Sequence, residues 1–197
     1  MRNLLLLVVF ILGSSCQAVL KTAYGVRRPT LKQKSDIRAF VHDNGCDSSK
    51  LVYFKSFESF TLASKKNLLK FPEAYFFDPE GNFVSYNKTA KECNAGVDLF
   101  LHDLRSFDQY AVDTTRTEAE FRDLLRVEMN DSRGITVYIT FATYIGKLND
   151  DRTFEWVRLM EKARRDGVDI NYYLVNCDFL KEWNIPEKMQ RDLGIKS

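Results

Sequence analysis

The chain has 197 residues, enough for one domain or two small ones, with 45% apolar and 28% charged residues and only 4 Pro and 9 Gly. A formal charge of +2, with no basic stripe, gives no electrostatic case for nucleic acid binding. The 15 Phe and 9 Tyr are enough aromatic mass to fill a core.

At the amino terminus, Arg2 precedes an apolar run, Leu4–Leu12, too short to anchor permanently in a bilayer. The small residues Gly13-Ser14-Ser15 then lead to Cys16. This pattern resembles the cleavage box of bacterial lipoproteins, although Gly13 stands where that box usually carries Leu. The resemblance implies a signal peptide over 1–15, a lipid on Cys16, and a membrane partner reached through that anchor. It places the chain in the bacterial cell envelope, facing the periplasm. Gln17, in place of the Asp that retains such proteins at the inner membrane, favours the outer membrane. The alternative is an ordinary secretory leader cut near Ala18.

Residues 16–34 read as a polar tether. The spacing predicts a first helix over 34–43, with Ser35 as its cap and Ile37, Phe40 and Val41 on one face. Leu51–Phe54 is a short strand, and 59–69 reads as a helix. Phe71-Pro72 opens a hairpin: strand Glu73–Phe77, turn Asp78-Pro79-Glu80-Gly81-Asn82, return strand Phe83–Tyr86. Residues 95–106 carry Val97, Phe100, Leu101 and Leu104 at helical spacing. After a short strand at 110–114, Thr117-x-x-Glu120 is a capping box for a helix reaching about Met129, with Phe121, Leu124 and Leu125 inward. Ile135–Phe141 is a buried strand, 151–166 a helix, Ile170–Asn176 a second buried strand, and 186–193 a last helix begun by Pro186.

The stretch Phe141-Ala142-Thr143-Tyr144-Ile145-Gly146-Lys147-Leu148, in its strand–loop–helix setting, resembles the thioredoxin pattern around the redox dithiol. Ile145 and Leu148 stand where the two cysteines would be. The hairpin and the helix at 95–106 resemble the end of the same family's fold, so the parts occur in permuted order. The resemblance implies an α/β fold: a thioredoxin-like mixed sheet with helices on both faces, in which the first-half strand 74–77 lies beside 135–142. One domain over 35–197 is expected, its halves being 35–108 and 109–197. Two incomplete lobes are the alternative. Pro72 becomes a candidate cis-proline. Phe71, Pro72, Tyr144, Ile145, Gly146, Lys147 and Leu148 become the walls of a groove for a protein or peptide.

Thioredoxin chemistry needs a thiolate and a resolving thiol, and neither Ile145 nor Leu148 can supply one. A non-catalytic binding protein is therefore the leading expectation. The alternative is a thiol-redox or redox-sensing protein using Cys93 and Cys177, which the strand directions bring toward the same end of the sheet. Cys46 is expected at the opposite end. No metal spacing, phosphate loop or hydrolase motif is present, so no cofactor is expected. His42 and His102 read as solvated. Asp150 and Asp151 read as helix-start carboxylates, Lys147, Arg164 and Arg165 as a solvated face, and Trp156 and Trp183 as core or rim. Asn87-Lys88-Thr89 and Asn130-Asp131-Ser132 match the glycosylation acceptor but matter only in a eukaryote.

Overall fold

The computed structural model describes residues 22–85, Val97, Phe100, 111–126 and 134–196. The leader with Cys16, the residues around Cys93 and His102, and both acceptor motifs lie outside the described residues. The described chain forms α1 (Lys34–Asp43), β1 (Leu51–Phe54), α2 (Phe57–Lys65), β2 (Glu73–Phe77), β3 (Asn82–Ser85), β4 (Ala111–Thr117), α3 (Glu118–Arg122), β5 (Leu125–Arg126), β6 (Ile135–Phe141), α4 (Glu155–Arg165), β7 (Ile170–Asn176) and α5 (Glu187–Asp192).

One seven-stranded sheet, in the order β4-β3-β2-β6-β7-β1-β5, joins both halves of the chain. Strand β2 pairs antiparallel with β6, setting Glu73 opposite Thr140 and Phe77 opposite Thr136. That pairing makes one mixed sheet rather than two lobes. Strands β6 and β7 run parallel through seven residue pairs, Ile135 with Ile170 to Phe141 with Asn176. A parallel pair in mid-sheet needs cover on both faces, which is why both strands are apolar almost throughout.

Strand alternation sends the two sets of side chains into two cores. Val137, Ile139 and Phe141 of β6 pack with Ile37 and Val41 of α1 and with Trp156, Val157 and Met160 of α4. Tyr138 and, from β7, Tyr173 and Val175 pack on the other face with Phe60 and Ala63 of α2 and Phe121 of α3. Helices therefore cover both faces. Full burial of a side chain such as Phe141 or Phe54 contributes on the order of 1.5–3 kcal/mol each. Val97 and Phe100, expected inward, are helical and buried in the first core.

Several elements depart from the sequence reading. The cap of α1 is Gln33, not Ser35: the Gln33 backbone N–H donates to Asp36 Oδ2 at 3.3 Å. Helix α2 stops at Lys65 instead of 69, because Asn67 adopts φ +56° and Leu68 folds back into the core. The helix expected from Thr117 to Met129 ends at Arg122. Leu125 and Arg126 instead pair antiparallel with Phe54 and Tyr53, closing the open edge of β1. Thr117 caps α3 as expected, its Oγ1 accepting from the Glu120 backbone N–H at 3.3 Å.

The buried tyrosines give the fold an alkaline limit. Burial pushes the Tyr53 phenol up to about 12 and drives Tyr75, Tyr138 and Tyr172 higher still, from an ordinary 10.0. Above that ordinary value the unfolded chain gives up protons that the folded chain keeps. Stability therefore falls as pH rises past about 10. The urea midpoint by circular dichroism is expected to hold between about pH 8 and 9.5 and to drop beyond about pH 10, with the phenolate absorbance of these four tyrosines appearing only on unfolding. A midpoint flat to higher pH would show these phenols to be free.

Candidate functional site

Strand β6 ends at Phe141 and the chain turns through a short 3-10 turn, Thr143–Ile145. The antiparallel register of β2 against β6 brings the Phe71-Pro72 loop to this same end. The Phe71-Pro72 bond is cis. Thr140 Oγ1 ties the loop down, accepting from the Glu73 N–H at 3.0 Å and donating to Lys70 O at 2.6 Å. The rings of Phe71 and Tyr144 meet edge-on at 6.0 Å. The two predicted walls, Phe71-Pro72 and Tyr144–Leu148, are thus brought together. Phe71, Pro72, Tyr144 and Leu148 are half-buried, and Lys147 is exposed.

The inner part of the expected groove is filled by the chain itself. Ile145 is only 4% exposed and belongs to the second core. Over Gly146 lies the segment 24–27. The Lys147 N–H donates to Tyr24 O and the Arg27 N–H to Tyr144 O, both at 2.8 Å. Further on, the Lys196 N–H donates to Pro29 O and the Lys32 N–H to Phe179 O, again at 2.8 Å. Residues 24–32, read from the sequence as part of a tether, are therefore bonded along the domain. The fit over Gly146 is so close that a Cβ there would stand 2.1 Å from Tyr24 O.

A buried carboxylate fixes the loop from below. Asp178, just past β7, accepts from the Thr143 N–H at 2.9 Å, the Thr143 hydroxyl at 2.7 Å and Asn176 Nδ2 at 2.6 Å. Burial raises the Asp178 carboxyl above its ordinary range, although the Thr143 and Asn176 bonds oppose that. Beside it, Asn149 Nδ2 donates to Ala142 O at 2.9 Å. Asn149 opens a π-helical turn, Asn149–Phe154, that leads into α4. Asp150 is exposed there. The sequence reading missed Asp178 and the 24–32 segment. The polar run Asn176-Cys177-Asp178 straight after a buried strand was the available signal.

The thiols divide as the strand directions require. Cys177 follows β7 and its N–H donates to Phe141 O at 2.7 Å, so it sits at the loop end of the sheet. It is a free thiol, 0% exposed, and burial raises its pKa well above the ordinary value. Cys46 is buried in the first core, its thiol pushed up by burial to about 11. Neither supplies a thiolate near neutral pH. Cys93 lies outside the described residues. In a soluble Cys16→Ser/Cys93→Ser variant, no thiol is expected to react with a disulfide reagent until denaturant is added, and then two. A native thiol reacting within minutes would overturn this.

Elsewhere, His42 is exposed, Trp156 is core and Trp183 is half-buried, its ring tilted against those of Phe57 and Phe60. A cleft of about 200 Å³ opens on β2, β3 and β4, lined by Lys70, Glu73, Tyr75 and Phe83. The Arg116 guanidinium lies over the Phe83 ring there, 4.1 Å from its centroid. Among the described residues, no three His, Cys, Asp or Glu side chains are grouped to hold a metal ion.

Comparison with protein-family models, with curated proteins and with solved structures gives no match.

Proposed function

We propose that the protein is a non-catalytic envelope lipoprotein, anchored through a lipid on Cys16, that binds a protein or peptide partner on a thioredoxin-like sheet in permuted order. The observation that carries the binding part is the half-exposed Phe71–Tyr144 pair beside Pro72. Paired aromatic rings at a rim supply contact area at low entropic cost. The two positions where the family keeps thiols hold Ile145, which is core, and Leu148. That supports recognition without chemistry. Residues 24–27 already take the backbone groups of Tyr144 and Lys147, so the partner's surface is the rim, not the inner groove. Burial of Cys177 weighs against a thiol-exchange reading.

The test is selection from a phage-displayed peptide library by the immobilised soluble domain. Enrichment is expected for the native domain and its loss for Phe71→Ala/Tyr144→Ala, with circular dichroism confirming that the variant is folded. Equal enrichment by both would overturn the rim assignment. Dithiol-dependent reduction of insulin by the native chain would overturn the non-catalytic assignment.

A further inference from the structure

Resting on the lipid anchor proposed above, we infer that the face formed by Tyr24–Arg28 and Lys147 is held against the phospholipid surface, with Arg27 and Arg28 toward the lipid phosphates. The first described tie is the Lys147 N–H to Tyr24 O, and the ties continue at Arg27, Pro29 and Lys32. Eight residue steps separate Cys16 from Tyr24. At full extension they span at most about 29 Å. The helical turn of residues 22–24 shortens that reach to about 25 Å.

A domain of this length has a diameter of about 40 Å. The leash is shorter than the domain is wide, which favours the end carrying Tyr24, over the opposite pole, as the one nearest the bilayer. That pole is the amino-terminal end of β6 and β7, where Arg164, Arg165 and Asp169 are exposed. Tyr24 and Gly146 lie at the carboxyl-terminal end of β6.

The charges on the anchored face suit a phosphate surface. Arg27 and Arg28 are adjacent and exposed, and Lys147 is exposed beside them. Among the described residues neither arginine makes a salt bridge. Asp150 and Asp151, also exposed, follow Lys147 on the π-helical turn and set a limit to the attraction. Basic residues close to a lipid anchor add an electrostatic contribution that a single chain lacks.

The experiment uses the lipidated full chain in a Cys93→Ser background, with Cys46 and Cys177 protected by burial. A fluorophore is placed at Lys147→Cys or at Arg165→Cys, in vesicles of phosphatidylethanolamine and phosphatidylglycerol doped with nitroxide-headgroup lipid. Strong quenching is expected at 147 and little at 165. Arg27→Glu/Arg28→Glu is expected to lower the quenching at 147 while the protein stays vesicle-bound. Phosphatidylcholine vesicles distinguish the lipid phosphate alone, where the effect of the arginine variant persists, from net anionic charge, where it vanishes. Equal quenching at the two positions, or no effect of the arginine variant in either vesicle, would overturn the inference. Mass spectrometry of the mature chain separates the two readings. An unacylated Cys16 overturns the anchor itself, whereas an acylated Cys16 with equal quenching overturns only the orientation.

Discussion

Gly146→Ala is expected to lift the 24–27 segment off the domain while the sheet stays folded. Gly146 has φ +61° and ψ −135°, a backbone conformation that residues with a Cβ rarely hold. The new Cβ would also stand 2.1 Å from Tyr24 O and 2.8 Å from the Gly25 carbonyl. Both obstacles are backbone, so no side-chain rotation relieves them. The strands are bonded to one another independently of this contact, whereas the 24–27 segment is held on the loop by two backbone bonds. It should move first, breaking the Arg27–Tyr144 and Lys147–Tyr24 bonds. Two backbone bonds contribute about 1–3 kcal/mol together, and the strain adds about 1–3 kcal/mol. Hydrogen exchange should show the amides of Arg27 and Lys147 losing protection while those of β6 and β7 keep theirs. Trypsin cleavage after Arg27 should accelerate about tenfold or more. Lys147→Ala keeps the backbone bond and should leave that rate unchanged. An unchanged cleavage rate in Gly146→Ala would mean that the segment does not lie on the loop.

The contrast between Gly146 and its surroundings shows what the residues could reveal unaided. The β-branched and aromatic run Ile135–Phe141 reads as a buried strand, and it is one. The hairpin was equally plain: Gly81 takes φ +81°, and Asp78 Oδ1 accepts from the Asn82 N–H at 2.7 Å. Side-chain chemistry signals such features locally. Leu124 and Leu125 were read as the inward face of a helix, but burial alone does not distinguish a helix face from a turn and strand: Leu124 is buried in the turn and Leu125 in β5. The unpaired edge of β1 decided for a strand. The covering of the loop by residues 24–27 left no trace in the sequence. Its bonds run backbone to backbone, between positions far apart in the chain, and the polar Arg27-Arg28-Pro29 reads as a linker from its composition alone. That Ile145 and Leu148 carry no thiol was legible at once, but the closure of the inner groove was not.

Asp178→Ala should be the most damaging single change near the loop, lowering stability by about 3 kcal/mol or more. It removes the acceptor for the Thr143 N–H, the Thr143 hydroxyl and Asn176 Nδ2, and leaves the buried Asn176 amide without this partner. Asp178→Asn keeps the size but replaces one oxygen with an NH2 group. That group must face either Asn176 Nδ2 or Thr143, so one acceptor is lost, for about 1–3 kcal/mol. The pH dependence carries a further signature. The Asp178 carboxyl is raised above 3.8 in the folded chain, chiefly by burial. Below 3.8 both states hold the proton. As pH rises, the unfolded chain releases it first, so the contribution of Asp178 to stability falls through this window and stays lower above the folded pKa. Removing the carboxyl also removes that ionisation cost. The deficit of Asp178→Ala against the native chain should therefore be larger at about pH 4 than at about pH 7, read from paired urea midpoints. A deficit that instead grows toward neutral pH would mean the carboxylate is stabilised by ionising, with its bonds to Thr143 and Asn176 outweighing burial. The aromatic rim depends on the same bonds, because Thr143 immediately precedes Tyr144. A peptide selected by the native rim should accordingly lose affinity for Asp178→Asn under conditions where circular dichroism shows that variant folded.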